Sequence, residues 1–252
     1  MSKLPQITLT FWIMKICATT LGETAGDLLS MTLHVGYAIS SLLLISIFLG
    51  TLITQLCAKK YNPALYWLVI LSTSTAGTTM SDFMDRTLGL GYMTGSAILL
   101  SILLLIFAFW HFAVGSMSVT GIRGFKVELL YWVAILFSNT LGTALGDFLA
   151  DDSGLGFGGG ALLIGSLLLV LIAATYFTKL SRVLLFWVAF VLTRPFGATL
   201  GDLLSKPHIK GGLNFGTVGS SCVLAVILGG LIWFTLKNHV ETSPEAVPLA
   251  MD

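Results

Sequence analysis

Four segments of the chain carry an aspartate in the same setting. They read Thr20-Leu-Gly-Glu-Thr-Ala-Gly-Asp27, Thr75-Ala-Gly-Thr-Thr-Met-Ser-Asp82, Thr140-Leu-Gly-Thr-Ala-Leu-Gly-Asp147 and Pro195-Phe-Gly-Ala-Thr-Leu-Gly-Asp202. Carboxylates brought together in a low-dielectric place can hold a hard cation through oxygen, with hydroxyls such as Thr20, Thr75 and Thr140 completing the ligand set. Clustered carboxylates also raise one another's proton affinity, which suits proton exchange. Asp27, Asp82, Asp147 and Asp202 are therefore candidate ligands for a small cation, a divalent metal ion included. The same acids could instead be structural: the helix breaks at the glycine, and the aspartate caps a short new segment.

The four copies differ in charge. Glu23 stands where the others have Thr78, Thr143 and Ala198. Arg194 aligns with Thr19, Ser74 and Asn139. Glu23 is thus expected to join the carboxylates, and Arg194 to pair with an aspartate as an internal counter-charge. Lys15, about one turn into its apolar stretch, is expected to snorkel to the surface. His34, His111, His208 and His239 share no spacing that would build a metal site.

The elements that position these groups follow from composition. Of the 252 residues, 56% are hydrophobic and only 10% charged, against about 25% charged in soluble domains. The surface must therefore face something other than water. Charge-free stretches at 36–57, 61–81, 87–110, 129–146, 153–178 and 211–236 are each about the length that crosses the hydrocarbon core as a helix. Two more, 11–29 and 183–204, are interrupted by Lys15, Glu23 and Asp27, and by Arg194 and Asp202. Alternating ten-residue strands, the mark of a membrane barrel, do not occur. The first apolar run is too long for a cleavable signal core. Cys17, Cys57 and Cys222 lack metal-ligand spacing and read as small hydrophobes.

Trp12, Trp67, Trp132 and Trp187 each precede their aspartate by fifteen residues. Gly36-Tyr37, Gly91-Tyr92 and Gly156-Phe157 open the next stretch in three copies, and Asn214-Phe215 in the fourth. Self-similarity of this kind decides the architecture before any other argument. The expected fold is an all-α membrane protein of eight transmembrane helices, made of four parallel two-helix repeats with pseudo-symmetry about the membrane normal. The repeats run approximately 11–57, 65–112, 130–178 and 185–237, followed by a flexible cytoplasmic tail at 238–252. The aspartate-bearing helices should gather at the centre, with the charge-free helices outside against lipid. Small residues four apart, such as Gly22 and Gly26 or Gly142 and Gly146, allow close helix approach. The tryptophans are expected to anchor the membrane interface; an aromatic cage for a quaternary ammonium is the sharper alternative.

The repeated Trp–Gly–Asp pattern resembles bacterial membrane proteins built from four tandem repeats of unknown function, each with two spans and a characteristic tryptophan. The resemblance covers nearly the whole chain. It implies the fold and a bacterial inner-membrane location, and brings no substrate.

Lys3, Lys59, Lys60, Arg123, Lys126, Lys179, Arg182 and Lys237 cluster on one set of loops and termini, against Arg86, Lys206 and Lys210 on the other. By the positive-inside rule both termini are cytoplasmic. A net charge of +1 without a basic stripe excludes nucleic acid as a partner. Catalytic motifs of the nucleophile-elbow, zincin or phosphate-loop kinds do not occur, so an enzyme is not expected. The expectation is a transporter, in the export direction, of a small cation such as a divalent metal, coupled to protons, with no resident cofactor. The alternatives are a proton-coupled exporter of a small organic solute and a non-transporting membrane scaffold. Membrane lipid and the small cation or solute are the expected partners, and a homodimer is compatible with the sequence.

Overall fold

A computed structural model of the chain describes residues 4–119, 122 and 124–241. Lys3, Arg123 and the tail beyond 241 lie outside them. The described residues form eight long α-helices and no strand. In chain order these are α1 (Leu9–Asp27), α2 (Tyr37–Cys57), α3 (Pro63–Asp82), α4 (Tyr92–Val114), α5 (Phe125–Asp147), α6 (Gly156–Phe177), α7 (Arg182–Ser205) and α8 (Gly216–Glu241).

Local chemistry starts several of them. The Thr8 hydroxyl accepts from the Phe11 amide at the head of α1. Asn62 Oδ1 accepts from the Leu65 amide at the head of α3, with Pro63 in the first turn. Gly36 and Gly91 precede α2 and α4 with φ of +80° and +73°, a backbone that only glycine takes at little cost.

Six helices are long and apolar enough to cross a membrane: α2, α4, α5, α6, α7 and α8. The protein is a multi-pass helical membrane protein. α1 and α3 are less apolar for a visible reason. α1 carries Lys15, Glu23 and Asp27, and α3 carries a run of serine and threonine from Ser72 to Ser81. Both helices lie at the centre, where their polar faces meet other protein rather than lipid.

The odd helices pack in a closed ring, α1 on α3, α3 on α5, α5 on α7 and α7 on α1. The even helices lie outside, mostly exposed. Each packs on the odd helix of the following repeat: α2 on α3, α4 on α5, α6 on α7, and α8 back on α1. A repeat therefore buries its outer helix on its neighbour, which couples all four copies.

Glycine sets the ring spacing. A Cβ on Gly22 would lie 2.5 Å from Ser74 Cβ, one on Gly77 3.1 Å from Asn139 Cβ, one on Gly142 2.2 Å from Arg194 Cγ, and one on Gly197 2.7 Å from Thr19 Cβ. All four contacts join equivalent positions of successive repeats. Backbones this close give the dispersion contacts that hold helices together where lipid is as apolar as the side chains.

Candidate functional site

Residues four apart on each odd helix face the ring axis and stack in layers. The first holds Phe11, Tyr66, Tyr131 and Phe186, and the second Lys15, Ile70, Ile135 and Phe190. The third holds Thr19, Ser74, Asn139 and Arg194, and the fourth Glu23, Thr78, Thr143 and Ala198. The fifth holds the aspartates. All twenty residues are buried.

The first layer closes one end of the bundle. Each of its rings packs on the tryptophan that follows it in sequence and on the tryptophan of a neighbouring repeat. The circuit runs Phe11, Trp67, Tyr66, Trp132, Tyr131, Trp187, Phe186, Trp12 and back to Phe11, with centroids 5.1–6.0 Å apart. The Tyr66 and Tyr131 hydroxyls meet at 2.7 Å. Trp67, Trp132 and Trp187 are buried in this circuit and Trp12 is half-buried, so the expectation of interface anchors is corrected for those three.

Lys15 is corrected as well. It is fully buried, its Nζ 3.5 Å from Asn139 Oδ1 and 4.0 Å from the centre of the Phe190 ring. Asn139 Nδ2 in turn donates to Thr73 Oγ1 at 2.8 Å. Position 15 points at the axis, and the side chain has no route to the surface along its own helix.

At mid-axis Arg194 pairs with Glu23, rather than with an aspartate as expected. Arg194 Nη1 donates to Glu23 Oε2 at 2.9 Å. Its Nη2 donates to Thr78 Oγ1 at 2.6 Å and Thr143 Oγ1 at 2.7 Å, and reaches the Ser74 carbonyl at 3.4 Å. Thr143 Oγ1 also donates to Glu23 Oε2 at 3.2 Å. The two charges of these adjoining layers are thus held by all four central helices.

The four aspartates converge in two pairs, each under one basic side chain. Arg86 Nε lies 2.9 Å from Asp82 Oδ1, and its Nη2 donates to Asp147 Oδ2 at 3.1 Å. Lys206 Nζ bridges Asp27 and Asp202, 3.2 Å from Asp202 Oδ1. Both bases stand four residues after an aspartate, in copies two and four. Copies one and three have Met31 and Asp151 there. Burial works against the charge on Lys206, but the Asp202 and Asp27 carboxylates outweigh it and hold the ammonium well above the ordinary lysine value. Oxygens of Glu23, Asp147 and Asp202 lie within 4.8 Å of one another.

The helices do not break at the aspartates, and the side chains of Asp27, Asp82 and Asp147, which head the turns that follow, make no capping hydrogen bond. The chain instead widens into a single π-turn after each, at Leu28–Thr32, Phe83–Thr87 and Phe148–Asp152. The fourth copy stays α-helical to Ser205. This corrects the capping alternative. The acids face inward from continuous helix, where each needs a cationic partner.

Thr20, Thr75 and Thr140 do not reach the carboxylates. Their hydroxyls donate back to Ile16, Leu71 and Leu136 carbonyls of their own helices at 2.9–3.2 Å. One residue beyond the axial position turns a side chain about 100° away. The threonine hydroxyls that meet the central Arg194–Glu23 pair are instead those of Thr78 and Thr143. Sequence reasoning also missed Arg86 and Lys206 as partners of the aspartates; their four-residue spacing on one helix face was the available signal.

No curated protein and no solved structure matches the chain. A family model, Repeat of Unknown Function (DUF347), matches it four times, at residues 10–61, 65–116, 130–181 and 185–239. Those matches take in most of each odd helix, the four repeated aspartates and every axial layer described above, and the chain belongs to the DUF347 repeat family.

Proposed function

We propose that the protein is a bacterial inner-membrane transporter that exchanges a small cation for protons at the axial carboxylates. In this reading all eight long helices cross the membrane, in four parallel repeats about its normal, with both termini in the cytoplasm. The single observation that carries it is the pairing of two aspartates under one base, twice. A purely structural acid needs its charge matched, because an unpaired charge at membrane depth is costly. Here each pair of acids has one tethered cation, which leaves room for a mobile one.

The charge balance favours a small load. Glu23, Asp27, Asp82, Asp147 and Asp202 stand against Lys15, Arg86, Arg194 and Lys206. With every group ionised the cluster carries one net negative charge. One proton or one monovalent cation neutralises it. A divalent metal ion held by Glu23, Asp147 and Asp202 would overshoot unless Arg86 or Lys206 withdrew. The aromatic circuit at one end and the two bridges at the other correspond to a closed state, from which an exchanger must open on one side at a time.

The deciding measurement is cation and proton flux in proteoliposomes. Asp147→Asn should abolish it while the protein still inserts and elutes as the wild type does. Undiminished flux in that variant would sink the carboxylate role. The tightly packed axis also favours a second reading, a membrane scaffold, and absence of any cation flux in the wild type would select it.

A further inference from the structure

The site around Arg86 suggests which cation the transporter takes. Arg86 is held by more than carboxylates. Its Nη1 donates to the Tyr37 hydroxyl at 3.3 Å. Its guanidinium carbon lies 5.9 Å from the centre of the Tyr37 ring and 5.5 Å from that of Tyr92. These tyrosines open α2 and α4 from two different repeats. Together with Asp82 and Asp147 they make a four-sided enclosure of two acids and two electron-rich rings, the combination that recognises a delocalised organic cation.

Arg86 fills this enclosure imperfectly. It is on the same helical run as Asp82, one turn away, so it reaches that carboxylate from the side. Its Nε is 2.9 Å from Asp82 Oδ1 without the alignment of a hydrogen bond, and Asp82 Oδ2 meets no donor among the described residues. Asp82 is nonetheless buried, at 2% exposure. A guanidinium free of the helix could turn two parallel N–H groups onto the carboxylate, the stronger arrangement. Arg86 is also the accessible member of the group, its side chain 29% exposed against 2% and 4% for Asp82 and Asp147. It covers the acids on their exposed side.

We propose that Asp82, Asp147, Tyr37 and Tyr92 form a binding site for a guanidinium-type organic cation, whose place Arg86 keeps as a tethered occupant. This rests on the transport reading above for its role, but the binding stands or falls separately. A divalent metal is a poorer occupant, because neutral phenol oxygens are weak ligands for it and the faces of the tyrosine rings supply none.

The test uses the full-length protein in lipid nanodiscs, with methylguanidinium chloride at low millimolar concentration as the probe. Sodium chloride and manganese chloride at matched ionic strength are the comparisons. Arg86→Ala should lower Tm, and methylguanidinium should restore it saturably. Binding should be about tenfold tighter than that of sodium. Adding Tyr92→Ala or Asp82→Asn to the variant should remove the response. Arg86→Gln, close in length and neutral, serves if the alanine variant does not fold. In the wild type, labelled guanidinium should exchange across proteoliposomes. Equal responses to sodium, or none to methylguanidinium in either variant, would overturn the site. Metal or proton flux without guanidinium binding overturns this substrate class and leaves the transport reading standing. Guanidinium binding without flux of any ion does the reverse.

Discussion

Arg194 Nη1 stands 2.9 Å from Glu23 Oε2 between α7 and α1, with both side chains buried and hydroxyls from α3 and α5 closing around them. These are the residues that make the first and fourth repeats unlike the others. The polar centre of the protein is thus built where the first and fourth copies meet.

Removing one partner of that pair strands the other. Glu23→Gln or Arg194→Met alone should each destabilise the protein by about 3–5 kcal/mol, the cost of leaving a buried charge uncompensated. The double variant should recover a large part of the loss. A double-mutant cycle on thermal or denaturant unfolding in detergent measures the coupling. Additive losses would show that the ion pair does not organise the centre.

The glycines of the ring should separate sharply from those outside it. Gly77→Ala sets a methyl group 2.9 Å from the Thr140 amide and 3.0 Å from the Asn139 carbonyl carbon, backbone that cannot turn aside. A loss of about 1–3 kcal/mol is expected, as for other overpacked interiors. Gly50→Ala, in the exposed helix α2 with nothing within 4 Å, should stabilise by about 0.5–1 kcal/mol through helix propensity. Comparing the two melting temperatures tests whether close approach is specific to the central helices.

The Lys206 bridge should be insensitive to pH across the usual range. A lysine whose value is raised on folding contributes stability that is complete below its unfolded value, about 10.4, and lost only as pH rises through the higher folded one. At pH 9 its amine should therefore react with an acylating reagent far more slowly than the exposed Lys59 and Lys210, by about tenfold for each unit of the rise. Mass spectrometry after brief labelling reads this directly. Asp27→Asn with Asp202→Asn should bring Lys206 toward the rate of the exposed lysines. Equal labelling in the wild type would mean that the bridge is open in solution.

Legible in the chain alone were the repeat, the long apolar helices, the central position of the acid-bearing helices and the outward position of the even-numbered ones. These follow from composition and period, which act along one helix at a time. Apolar length makes a membrane helix, and glycine four residues from glycine makes a face that packs closely. The recurrence of Trp, Gly and Asp at fixed offsets made the four copies equivalent before any contact was known.

Which charge meets which was settled by how the helices pack. Asp82 and Arg86 are neighbours on one helix, but the second acid for Arg86, Asp147, comes from another repeat. Arg194 had four aspartates and one glutamate to choose from, and helix rotation together with layer height gave it Glu23. The same rotation turned Thr20, Thr75 and Thr140 onto their own backbones and brought Thr78 and Thr143 to the axis. It also buried Lys15, which length alone would have let reach the surface. Partner choice among buried charges depends on distances of a few ångströms between separate helices, and those distances are set by how the glycine faces dock around the ring.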